Sequence, residues 1–163
     1  MKVALLAACA SLVFVAGVTA DVTKLPLVER RKIEHADGIE LVRSVAKVPK
    51  QVVTACADAS KDPGFRLAEA GQPFQVSDAI TNETRNLPRR RFIWAARLPE
   101  YYVVHYEMGG RGHSFHVLLV KFDGTEKAAQ VTWAAAAILL KDYDHFLRAL
   151  KAGKLDDSLG SYH

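Results

Sequence analysis

Tyr101-Tyr102-Val103-Val104-His105-Tyr106-Glu107-Met108, then Gly109-Gly110-Arg111-Gly112, then His113-Ser114-Phe115-His116-Val117-Leu118-Leu119-Val120-Lys121-Phe122: this stretch decides the fold. Two runs rich in β-branched and aromatic residues surround a glycine-rich break, and glycine supplies the positive φ that tight turns need, so the stretch predicts a long antiparallel hairpin. An even loop centred on Gly110-Arg111 sets Tyr106 against Phe115, Val104 against Val117 and Tyr102 against Leu119, an entirely apolar face. The opposite face then pairs Glu107 with Ser114, His105 with His116 and Val103 with Leu118. An odd loop mixes polar and apolar residues on both faces, which favours the even one.

Working outward, Asp123-Gly124 marks the next turn. An odd loop of the bulged type there places Val131 and Trp133 on the face of Phe115 and Val117. The other face then carries His105, Glu107, Ser114, His116, Gln130 and Thr132. Two imidazoles opposite one another, with a carboxylate two residues along, suit a facial metal site: His105, Glu107 and His116 offer Zn²⁺ two nitrogens and one oxygen and leave a position open. The competing reading is a solvated sheet face with no cofactor. His105, Glu107, Arg111, Ser114 and His116 are the candidate ligand- or partner-binding residues, and no catalytic set stands out.

Before the hairpin, Phe92-Ile93-Trp94-Ala95-Ala96 reads as a strand, the alternating segment 74–80 as another, and 81–88 as a polar loop. The N-terminal third reads as helical. Thr23 caps a segment with Pro26 in its first turn that runs to Asp37-Gly38. A second apolar set, Ile39, Leu41, Val42 and Val45, leads to Pro49, and Val52, Val53 and Cys56 mark one face of a helix ended by Lys61-Asp62-Pro63-Gly64. A strand over about 127–133 follows the second turn. Asp142 is a helix N-cap ahead of Tyr143, Phe146, Leu147 and Leu150, with Gly153 as the stop. The expected fold is α+β: an antiparallel meander of about five strands, with N-terminal helices and one C-terminal helix packed on one face.

Half of the 163 residues are apolar. The excess sits at the start, where Met1 to Ala20 are apolar almost throughout and Lys2 is the only charged side chain. A basic residue, an apolar core and Val18-Thr19-Ala20 ahead of Asp21 read as a secretory signal peptide over 1–20, followed by a single domain over 21–163. Leu6-Ala7-Ala8-Cys9 has the letters of a lipoprotein box, but the apolar run continues past Cys9, which argues against lipidation there. Removing the segment takes away Lys2 and Cys9, so the net charge falls by one from +4, to +3, and Cys56 is left as the lone cysteine. The expected product is a periplasmic or secreted protein without an internal disulfide and with no membrane span after cleavage. It has ample length to bury a core.

Cys56, served by His105 or His116, is a candidate thiol nucleophile, set against a core cysteine. Arg89-Arg90-Arg91, near Arg85 and Arg97, suits an anionic polymer or an acidic protein more than nucleic acid in an exported chain, or else guards a strand edge. The sequence is short of a fingerprint for any activity. The expectation is a binding module, of inhibitor or immunity type, that meets an envelope or secreted protein; the alternative is a metal-dependent or cysteine hydrolase using His105 and His116.

Overall fold

A computed structural model describes residues 25–62, 64–123 and 128–158. The proposed signal peptide, Cys9, Thr23 and Gly124 lie outside them. In chain order come α1 (Leu27–Glu34), β1 (Glu40–Val42), a 3-10 turn (Val45–Lys47), α2 (Lys50–Ser60), β2 (Leu67–Ala68), β3 (Arg90–Arg97), β4 (Tyr101–Met108), β5 (Ser114–Phe122), β6 (Ala129–Ala137) and α3 (Tyr143–Lys151). The class is α+β. One sheet runs β1-β3-β4-β5-β6 with antiparallel neighbours, and β2 adds a short parallel pairing to the start of β3.

The hairpin forms where the glycines put it, but one residue out of the expected register. Met108 pairs with Ser114, Glu107 with Phe115, Tyr106 with His116 and His105 with Val117. The loop is therefore odd, running from Gly109 to His113, rather than even. Its glycines bond away from the hairpin: Gly109 N–H donates to Arg89 O at 3.0 Å and Gly110 N–H to Val76 O at 3.0 Å. Gly109 continues the β3–β4 pairing by one rung, so β5 starts a residue later than a self-contained tight turn allows. Side-chain space is absent at this point, since a Cβ on Gly109 would lie 1.9 Å from Gln75 O. Gly110 sits at φ +130°.

One residue of slip sends every β5 side chain to the other face, and both faces accept it because both are covered. On one side Tyr101, Val103, Val117, Leu119 and Trp133 pack with Ile33 of α1 and with Tyr143, Phe146 and Leu150 of α3. On the other, Tyr102, Val104, Tyr106, Leu118 and Val120 pack with Val52, Ala55 and Cys56 of α2. The N-terminal α1 and C-terminal α3 thus share a face, while α2 lies across the sheet from them.

Two bulges tune this arrangement. Phe92 pairs with Tyr106 and Trp94 with His105, which leaves Ile93 as an extra residue in β3. Simple alternation would put Phe92 and Trp94 on one face; the bulge buries Phe92 on the α2 side and Trp94 on the α3 side. In β6 Thr132 is the extra residue, since Val120 pairs with Val131 and Leu119 with Trp133. Trp133 therefore joins Val117 as expected, but Val131 goes to the α2 side.

Several local expectations need correction. Ile39, Leu41, Val42 and Val45 do not make a helix: β1 and the 3-10 turn take their place, with Ser44 Oγ accepting from Ala46 N–H. Segment 74–80 is not a strand but a strap over the hairpin end, where Gln75 N–H donates to Pro88 O. β6 runs on through Ala134 to Ala137, alanines whose helix propensity hid a strand. Asp142 does cap α3, its side chain accepting from His145 N–H at 2.9 Å.

Candidate functional site at the hairpin end

The register settles where the five sequence candidates lie. His105 and His116 are on opposite faces of the sheet, so the proposed His105, Glu107 and His116 metal triad is not assembled. Among the described residues, no three His, Cys, Asp or Glu side chains converge to hold a metal ion.

His105 has no exposed surface. Its Nδ1–H donates to His116 O at 2.9 Å, and its Nε2 accepts from Leu140 N–H at 3.1 Å. Trp94 Nε1–H donates to Leu140 O at 2.7 Å. Both backbone groups of Leu140 are thus held by side chains of β3 and β4, which fixes the connection from the sheet into α3. The neutral imidazole with Nδ1 protonated satisfies both of its bonds, and burial pushes its pKa down to about 4.

His116 is a buried neighbour of Tyr106, the rings stacked at 5.3 Å and 17°. Ser114 Oγ lies 2.8 Å from its Nε2. Burial, then the Arg90 charge, drives its pKa down to about 4. Ser114, half-buried, and His116, buried, thus form one polar pair on the α2 side, away from His105 and Glu107. Cys56 is on this side too, 1% exposed, and burial pushes its thiol up to about 12. A thiol so protonated at neutral pH is not a poised nucleophile, so the cysteine behaves as a core residue.

Glu107 is the candidate that gains a setting. Its carboxylate is 7% exposed and is gripped from both sides: Arg91 Nε donates to Oε1, and His113 Nε2 lies 2.7 Å from Oε2. Arg91 comes from β3 as the direct cross-strand partner of Glu107, and His113 from the last loop position before β5. The Arg91 guanidinium stands 4.4 Å above the Phe74 ring. The His113 ring lies 5.1 Å from Phe115 and 6.2 Å from Phe74. Arg91 and His113 are 30% and 44% exposed, so a buried anion presents two solvent-facing nitrogen groups against a shared aromatic wall.

Around this clamp the end of the sheet is cationic. Arg111 tops the hairpin at 97% exposure, with its Nε 3.8 Å from Asp78, which also meets Arg89 at 3.4 Å. Arg66 and Arg85 reach no further than Asn86 O and Asn82 Oδ1. Arg90 alone of the expected basic run is buried, paired with Asp62 at 2.6 Å over the Phe65 ring. Exposed apolar side chains flank the tip. Val76 and Ile80 lie on the strap, and Ile138 and Leu139 directly follow the β6 residue that pairs with Phe115.

Arg91 and His113 escape the sequence reading of this site, because His113 reads as a tip residue and Arg91 as part of a charge run. The signal was an opposite-charge pair, Arg91 with Glu107, that working out the register of β3 on β4 would have exposed. No family model matches the chain, and no curated protein or solved structure is similar to it, so geometry and chemistry carry the functional reading.

Proposed function

We propose that this protein is an exported binding module, of inhibitor or immunity type, that docks the hairpin end of its sheet onto an acidic surface of a secreted or envelope protein. The observation that carries the reading is the tip itself. A fully exposed arginine stands on a glycine loop braced by the strap, and Val76, Ile80, Ile138 and Leu139 leave four large apolar side chains in solvent around it. Exposed apolar groups beside arginine are the composition of protein interfaces, where both residue classes supply anchors. Asp78 meets Arg89 and Arg111, Glu107 is taken up by Arg91 and His113, and the guanidiniums of Arg66 and Arg85 bond only to neutral oxygens, which favours a negatively charged partner and faster association with it.

The test is retention of envelope and secreted proteins on the immobilised chain. An acidic protein held at low salt, released at about 0.5 M NaCl where screening is nearly complete, and lost with both Arg111→Glu and Ile138→Asp is the expected result. Retention indifferent to both substitutions refutes the assigned surface.

A further inference from the structure

We infer that Arg91 and His113 together form a carboxylate subsite within this docking surface, one that takes up a proton as it binds. The inference rests on the docking reading and adds the chemistry of its anchor. Glu107 Oε2 is a buried acceptor, so the nitrogen of His113 facing it, Nε2, carries the hydrogen. Neutral His113 then presents Nδ1 as a bare lone pair, and becomes a donor there only on protonation. Arg91 uses Nε on Glu107 and reaches Gln72 O with Nη1 at 3.5 Å, which leaves Nη2 for a ligand.

Both groups hold the same carboxylate and lie against the same Phe74 ring, so they stand side by side and half-exposed around one anion. The charge balance is closed without a ligand only while His113 is neutral, because Arg91 and Glu107 cancel. A proton on His113 adds one positive charge, and a carboxylate seated between Nη2 and Nδ1 cancels it. The charged groups around the imidazole are Arg91 from β3 and Glu107 from β4, with Asp78, Arg89 and Arg111 beyond them at the tip. Ligand and proton therefore favour each other's binding.

The probe is blocked hexaglutamate, fully ionised across the working range, titrated into the full chain by calorimetry between pH 8 and 6 in two buffers of different ionisation heat. Affinity should strengthen towards lower pH by up to tenfold per unit, with net proton uptake on binding. His113→Gln should flatten that dependence and keep the salt-sensitive part carried by Arg111. Binding of the probe with no pH dependence, or the same dependence in His113→Gln, overturns the subsite and leaves the docking surface standing. Absence of probe binding at every pH overturns the acidic-partner reading and the subsite with it.

Discussion

Acid should unfold this protein through two histidines. His105 and His116 are buried, and burial lowers each from the usual 6.5 to about 4. Between those values the unfolded chain binds protons that the folded chain refuses. Stability is therefore fully present above pH 6.5, falls as the pH drops from 6.5 towards 4, and is not lost further below 4. A displacement of about 2.5 units at about 1.36 kcal/mol per unit is worth roughly 3 kcal/mol for each histidine. The two are neighbours across β4 and β5, and a charge on His116 opposes one on His105, so the pair amounts to about 5–7 kcal/mol. A domain of this size holds about 5–15 kcal/mol in total, so the loss removes much of it.

Urea unfolding followed by Trp94 and Trp133 fluorescence at steps from pH 7.5 to 4.5 reads this directly. The slope should rise to about 2 kcal/mol per pH unit near pH 5, approaching twice the one-proton value. His116→Gln should remove about half of it. Asp62 and Asp142 are held below the usual carboxylate range, chiefly by hydrogen bonds from Arg90 and His145, so their contribution is lost below about pH 4 and does not confuse the window. Stability flat from pH 7 to 5 would mean that neither imidazole is desolvated as described, and would refute the reasoning.

Gly109→Ala sets a Cβ against the Gln75 carbonyl, and should cost about 2 kcal/mol or more in denaturant unfolding while freeing the strap to limited proteolysis. Cys56 should resist alkylation in the folded chain and react at once in concentrated guanidinium, a contrast that mass spectrometry scores. Glu107→Gln leaves the half-exposed Arg91 without its counter-charge, and a loss of about 1–2 kcal/mol is expected by thermal or denaturant melts.

Much of the frame could be read from residues alone. Strands announced themselves where β-branched and aromatic residues ran between glycines, and Asp142 and Gly153 bounded α3 as capping chemistry requires. The α+β class followed from that order. Register was another matter. Alternation selects a register only when one face is wet, and here His105 and His116 sit in two dry faces, His105 bonded at both ring nitrogens and His116 at Nε2 alone. The loop glycines bonded to Arg89 and Val76, residues distant in sequence, so turn rules for an isolated hairpin could not count the loop. Bulges at Ile93 and Thr132 then moved Phe92 and Val131 to the face opposite to strict alternation. Glu107 was grouped with His105 and His116, whereas the structure sets it beside Arg91 and His113, which are neighbours by pairing rather than by pattern.

The clamp on Leu140 also bears on the order of events during folding. Trp94 and His105 reach it across 46 and 35 residues of chain, whereas the β4–β5 hairpin starts from Met108 and Ser114, 6 positions apart, and zips outward to Tyr101 and Lys121, 20 apart. Loop closure over the longer spans is the slower, entropically dearer step. The C-terminal helix is therefore a late arrival that waits for a formed ladder to receive its leading stretch of backbone. Trp94→Phe, which strips one of the two bonds, should quicken unfolding and leave the refolding rate nearly untouched. A hinge fastened last is also released first, so the earliest opening of the native state is expected at the join between β6 and α3, at the opposite face of the sheet from α2.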